Sequence, residues 1–341
     1  MKRILFRADG NAQIGLGHVM RCLALADMLR NTFSMCFAIT EPAADLKSKI
    51  NDAGLSILLL PASEADNSFL DAIDADDIVV LDGYLFNESF QQAIRSRAHK
   101  LIFIDDLAAG HQVADIIINH AGGIAELEYD TEPYTRLYIG PQYALLHPDF
   151  LRPEGFGDMA TDGPIFVSLG GADPQNTSLT VLRGIQQANN QQAVRLVLGP
   201  LHPDRASIDR FKTQLPNLTI LQNLGAADMS WELQNCRLAI TSCSTVSYEV
   251  CAVNRPLIGI VTADNQDRLA QFLADERLAI SVNFPHLLSQ LKLPIGLDTA
   301  VKLAIQSADF SPETVAETLA HQRRFFDGHS PERFRSLFFQ L

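Results

Sequence analysis

His18 is the residue around which chemistry can be built. It stands in Ile14-Gly15-Leu16-Gly17-His18, between the apolar run Lys2 to Phe6 and a stretch where Val19, Cys22, Leu23, Ala26 and Leu29 recur at helical spacing. Gly15 and Gly17 let the backbone turn tightly and come close to a ligand. His18 therefore falls on the first turn of a helix that follows a strand, where open α/β sheets bind ligands. The positive end of the helix dipole disfavours an imidazolium there, and a neutral imidazole can take a proton. A strand–helix turn with a capping His is the plainer reading of the same residues. Asp9 stands beside the glycine turn, as a candidate to orient His18, and Arg7 as one partner of a structural ion pair. Tyr84, in a loop after the apolar run Ile78–Leu81, can stack on or hydrogen-bond a sugar, or simply pack.

A second group of candidates lies in the other half of the chain. Gly170-Gly171, with Asp173 just beyond, follows the apolar run Ile165–Leu169 and precedes a helical stretch. Its N–H groups can meet phosphate oxygens, or the glycines can merely make a tight turn. Thr241-Ser242-Cys243-Ser244-Thr245 is a second strand-to-helix turn, rich in hydroxyls. Ser244 or Thr245 can cap the helix, and the same spot can take an anion. Glu249 lies one turn below Thr245, where a carboxylate can accept from both hydroxyls of a ribose, or lie exposed. Asn265 follows the run Leu257–Val261 and can cap the next helix or bond a sugar or phosphate.

Other chemistries lack their residues. Gly15 and Gly17 miss the third glycine of a dinucleotide fingerprint, and no GxxxxGK[ST] occurs. No HExxH or other metal-ligand spacing appears, so no metal and no cofactor are expected; His111 and His120 carry no ligand signature. Five scattered cysteines form no CxxC pair and read as core residues of a reducing compartment. The net charge of −13 argues against nucleic acid or an anionic membrane as partner. No apolar run reaches the roughly 20 residues of a membrane span, and no signal-peptide apolar region follows the first residues. A monomeric cytoplasmic protein is expected.

The positioning elements follow from hydrophobic pattern. The 341 residues, 47% hydrophobic, suffice for about two domains. Near-continuous apolar runs at Ile4–Phe6, Phe33–Ile39, Ser56–Leu60, Ile78–Leu81, Leu101–Ile104 and Asp115–Ile118 alternate with polar helical stretches such as Ala43–Ala53 and Glu88–Arg97. Such runs predict parallel strands covered on both faces, hence a doubly wound α/β sheet. Gly140 to Gly163, with four prolines in or at its end, reads as an interdomain linker. Alternation resumes with strands at Ile165–Leu169, Ala193–Leu198, Leu218–Leu221, Leu238–Thr241 and Leu257–Val261, and helices from 177 to 187, 227 to 235, 246 to 254 and 266 to 275. The domains are set at 1–145 and 160–310, with a helical tail at 311–341. The tail's aromatics, ending Phe334 to Phe339, pack either on the second domain or back on the first.

These motifs, in this order, resemble a known family. RxDxxxxIGxGHxxRC, here Arg7 to Cys22, looks like the UDP-sugar hydrolases of pseudaminic acid biosynthesis, which act on UDP-2,4-diacetamido-2,4,6-trideoxy-β-L-altropyranose. Asp82-Gly83-Tyr84, Ser168 to Asp173, Asp228-Met229 and the Ser242–Glu249 turn continue the likeness, from residue 1 to about 280. The family is similar to the N-acetylglucosaminyl transferase of peptidoglycan synthesis. It therefore implies a GT-B fold, two Rossmann-like domains facing across a cleft, without metal. By this likeness the second domain binds UDP, with Glu249 on the ribose, Gly171, Ser244 and Thr245 on the diphosphate, Asn265 as a further candidate contact, and Gly170 and Asp173 among the substrate-binding residues. The first domain contributes Gly15, Gly17 and Arg21 to substrate binding. His18 activates water, with Tyr84 by the sugar, and hydrolysis inverts the anomeric carbon. The product would feed surface or flagellin glycans. A glycosyltransferase of the same architecture is the alternative, although the sequence offers no evident basic and apolar patch for a lipid acceptor. A non-catalytic nucleotide-sugar binder is the alternative of another class.

Overall fold

The computed structural model describes residues 2–11, 14–157, 162–171, 173–188, 191–199, 202–283, 296–307 and 311–341. Ala12 and Gln13 of the first motif, and Ala172 of the glycine loop, lie outside the described residues. The chain divides into two units, Met1–Pro148 with His329–Leu341, and Asp149–Gly328.

The first unit is a parallel sheet flanked by helices. Its elements run β1 (Arg3–Arg7), α1 (Gly17–Met28), β2 (Ser34–Thr40), α2 (Ala44–Asp52), β3 (Ser56–Leu60), α3 (Ala65–Asp71), β4 (Ile78–Asp82), α4 (Glu88–Arg95), β5 (Lys100–Ile104), β6 (His111–Gln112), β7 (Ile116–Asn119), β8 (Asp130–Thr131) and β9 (Arg136–Ile139). The main sheet has the order β3-β2-β1-β4-β5-β7-β9, and every pair is parallel. β4 is buried at all five residues, as a central strand covered on both faces must be. The order reverses direction between β1 and β4. Parallel strands there leave a crevice at their carboxyl ends, and the loops after β1 and β4 line it.

The second unit repeats the design with β10 (Ile165–Ser168), α5 (Thr177–Gln187), β11 (Val194–Leu198), α6 (Arg205–Phe211), β12 (Leu218–Gln222), α7 (Ala226–Gln234), β13 (Leu238–Ser242), α8 (Thr245–Ala252), β14 (Leu257–Ile260), α9 (Asp267–Asp275), β15 (Ser281–Asn283), α10 (Leu297–Ser307) and α11 (Pro312–Phe325). Its sheet order is β12-β11-β10-β13-β14-β15, again all parallel, with the reversal between β10 and β13. One core packs Val167, Leu196 and Ile240 of the strands against Val181, Leu182 and Ile185 of α5 and Val301 of α10.

The stretch 140–163, expected as an interdomain linker, packs part of its length: Leu145, Leu146, Phe150 and Leu151 are buried, while residues 158–161 lie outside the described set. The expected tail 311–341 is two helices with different homes. α11 groups with the second unit, and α12 (Ser330–Phe339) groups with the first. Phe334 and Phe338 are fully buried there, Phe334 edge-on to Tyr143 and Phe338 edge-on to Phe33. No described helix is long and apolar enough to cross a membrane.

Candidate functional site

The first unit gathers its chemistry at the reversal of its sheet. Asn11 and Gly15 exchange backbone hydrogen bonds, at 3.2 and 2.9 Å, and Gly15 takes φ +79°, so the loop folds back on itself before α1. A side chain at Gly15 or Gly17 would meet nothing within 4 Å, which leaves the turn open above its backbone. No side chain caps α1. His18, on its first turn, is only 7% exposed.

The ring of His18 is held by Asp82, the last residue of β4, with Nδ1 2.7 Å from Asp82 Oδ1. Asp82 is wholly buried and also accepts from Arg21 Nε at 2.9 Å and Nη2 at 2.6 Å. A carboxylate gripped by a guanidinium fork is an acceptor. The proton of the 2.7 Å bond therefore belongs to Nδ1, although Arg21 Nη2 also lies 2.9 Å from that nitrogen. In this tautomer Nε2 carries the lone pair, and it has no hydrogen-bond partner among the described residues. Arg21 Nη1 reaches on to Asp106 Oδ2, 2.8 Å away, just past β5. Two carboxylates outweigh burial and raise the Arg21 pKa, so its charge is permanent.

Tyr84 meets the His18 ring edge to face, centroids 4.7 Å apart, and its hydroxyl donates to Asp106 Oδ2 at 3.3 Å. Burial pushes the phenol up to about 12, so it stays protonated. A cavity of about 260 Å³ opens beside it, lined by Arg21, Asp82, Tyr84, Asp106, Leu107 and Gln91 among others. Ile14, Met20, Tyr84, Leu85 and Leu107 are exposed on α1 and the loops of this sheet edge.

Two sequence-based assignments change. Asp9, expected to orient His18, instead accepts from the Thr40 amide at 2.9 Å and pairs with Arg7 at 2.7 Å, tying the end of β1 to the end of β2. Asp82 holds the ring in its place. Arg21, expected on the substrate, is spent on Asp82 and Asp106. The signal for Asp82 was a charged residue closing a strand buried on both faces, a costly position unless it is paired.

The second unit brings Gly170, Gly171, Ser244, Thr245 and Asn265 to one edge, because β10, β13 and β14 are neighbours in register, Ser168 beside Thr241 and Thr241 beside Gly259. Gly170 takes φ +92°; both glycines are exposed, with open space where a Cβ would stand. A Cβ on Gly199 would collide with the Gly171 carbonyl, so glycine at 199 lets the two loops touch. Asp173 does not face this opening. Its carboxylate accepts from the Thr177 and Ser178 amides, each at 2.8 Å, and so neutralises the positive end of α5. The amino end of α8 differs. Ser244 is its N-cap residue, but its Oγ pairs with Ser242 Oγ at 2.9 Å instead of capping. The first turn of α8 holds no acidic residue, which leaves it as the anion-ready terminus of the pair.

Glu249, on the second turn of α8, is half-buried, and its carboxyl has no hydrogen-bond partner among the described residues. Burial alone pushes its carboxyl up to about 8. An unpartnered acid in that state gains from any ligand that donates hydroxyl protons to it. Asn265 is exposed in the short turn Asp264–Gln266. No group of three or more His, Cys, Asp or Glu suited to a metal occurs among the described residues.

No family model matches the chain. It is similar to an uncharacterised protein of Methanocaldococcus jannaschii, 26% identical over 75% of this chain, and spans only about half, 55%, of that protein. It is 23% identical to the spore coat polysaccharide biosynthesis protein SpsG of Bacillus subtilis, over 82% of this chain and 83% of the relative. It is 20% identical to UDP-2,4-diacetamido-2,4,6-trideoxy-β-L-altropyranose hydrolase of Campylobacter jejuni, over 83% of this chain and 100% of the relative. Among solved structures, Acinetobacter baumannii MurG matches over the whole of both chains with a TM-score of 0.67 at 13% identity. Anabaena HepE, solved with UDP-glucose, also matches over both chains, with a TM-score of 0.57 at 12% identity. The fold is GT-B, and the likeness to the altropyranose hydrolase read from the motifs extends over most of the chain.

Proposed function

We propose that this protein hydrolyses a UDP-sugar of the diacetamido-trideoxy class to UDP and the free sugar, with His18 as the base. The observation that carries the reading is the His18–Asp82 bond: it fixes the tautomer whose Nε2 can accept a proton from water. Water attacks the anomeric carbon, His18 takes its proton, and UDP leaves with the bonding pair. The diphosphate is a good leaving group once N–H donors neutralise its charge, so no acid is obligatory. The exposed glycines and the amino end of α8 supply such donors, and Glu249 accepts from the ribose. Tyr84 lies against the sugar. One displacement predicts inversion.

The exposed Ile14, Met20, Leu85 and Leu107 favour a second reading, transfer of the sugar to an apolar acceptor, with His18 deprotonating its hydroxyl. A panel of UDP-sugars, assayed for UDP release in buffer without acceptor, separates the two. Release that depends on His18 and is lost in His18→Asn supports hydrolysis. Release only on adding an acceptor supports transfer. Binding without turnover would overturn both.

A further inference from the structure

Tyr84 is more than half exposed, so packing alone cannot hold its ring against His18. Its hydroxyl makes a single hydrogen bond among the described residues, to Asp106 Oδ2. The same oxygen receives Arg21 Nη1, while the other two donors of Arg21 go to Asp82. Asp106 is thus where two arms meet, one running through Arg21 and Asp82 to the Nδ1 edge of the imidazole, the other through Tyr84 to its flank. It stands two residues beyond Ile104, which is in register with Asp82 on the neighbouring strand. Its backbone is therefore tied to the same rigid sheet edge as the partner of His18.

We propose that Asp106 is a positioning residue for the His18 base, joining the Tyr84 hydroxyl and the Arg21 guanidinium so that the imidazole is fixed from two sides. This rests on the reading of His18 as the base. The charged and titratable groups facing the ring are Asp82, Arg21, Tyr84 and Asp106. His120 is buried and pushed down to about 3 by burial and by Arg21, so it brings no charge. Removing Asp106 frees the Tyr84 hydroxyl and takes from Arg21 Nη1 its acceptor.

The test uses the whole protein and three substitutions. Asp106→Ala removes both arms, Tyr84→Phe removes one, and Asp106→Asn keeps an acceptor oxygen but loses the charge. Asp106→Ala should lower kcat on the order of 10²-fold, the loss typical of a small misplacement, with KM little changed. The double variant with Tyr84→Phe should be no worse than Asp106→Ala alone, because both act on one contact. Asp106→Asn should recover part of kcat, because its amide oxygen can still accept from the Tyr84 hydroxyl and Arg21. A merely structural role would lower thermal stability and leave the His18 ring signals in NMR in place. An Asp106→Ala enzyme within about twofold of wild type, or losses that multiply in the double variant, would overturn the proposal. The His18 ring signals in NMR decide independently of turnover: they should change in Asp106→Ala, and identical signals would reject the role of Asp106 even where no UDP-sugar is hydrolysed. A His18→Asn enzyme that still turns over would instead overturn the functional reading.

Discussion

Glu249 should couple nucleotide binding to proton release. Its carboxyl is pushed from 4.5 up to about 8 by burial, with no partner to offset the loss of water. At pH 7 the free protein therefore holds about 0.9 of a proton on this side chain. Ribose hydroxyls that donate to the carboxylate favour its ionised form, and binding returns the group toward its ordinary value. Uridine diphosphate should then expel about 0.9 of a proton from Glu249 at pH 7, and its affinity should rise about ninefold between pH 6 and 7. The sign follows from the direction of the shift. A carboxyl raised in the folded state opposes folding as it ionises, so the free protein loses stability as pH climbs from about 4.5 to about 8, and a ligand that rescues the anion gains over that window. Isothermal titration in buffers of different ionisation enthalpy reads the proton count directly. Glu249→Gln is the control, because the phosphate of the ligand titrates alike in both proteins and cancels in the difference. Equal proton release from the two proteins, or affinity that falls toward pH 8 only in the wild type, would refute the assignment.

Other outcomes follow from the same contacts. Asp82→Asn should cut turnover on the order of 10⁴-fold, since an amide can present N–H to Nδ1 and reverse the tautomer; steady-state rates with UDP binding as the folding control check this. Phe334→Ala should cost about 3–5 kcal/mol of first-unit stability in denaturant unfolding, because α12 buries that ring completely. Proton NMR of fresh product should show the anomer opposite to that of the substrate, and a retained configuration would rule out a lone base acting on water.

Much of the architecture was legible because parallel strands covered on both faces need unbroken apolar runs. Ser56–Leu60 and the helix Thr177–Gln187 fall where the pattern put them. Arg136–Ile139 was not anticipated: its residues are half-exposed at the sheet edge, and it begins with Arg. His18 and Tyr84 were legible from the turn chemistry and the motif, and the structure brings their rings together. The partner of His18 was not, because Asp82 is 64 positions away and reaches His18 only through the pairing of β1 with β4. Proximity in sequence favoured Asp9, but a carboxylate beside the last residue of β2 finds the free Thr40 amide first. Asp173 was misread for a related reason. A loop that precedes a helix holds both ligand-facing and capping groups, and which amides the acid takes is set by the folded backbone.

The helix Ser330–Phe339 closes the amino-terminal unit, although it is made almost two hundred residues after the rest of it. During synthesis the early segment must wait, with the face of α1 that meets α12 bare, while the intervening unit emerges and folds. A ribosome-bound nascent chain stopped before residue 330 should therefore bind chaperones more avidly than the finished protein, and the amino-terminal unit, unlike the second, cannot be cut out as one continuous fragment that carries all of its own interior.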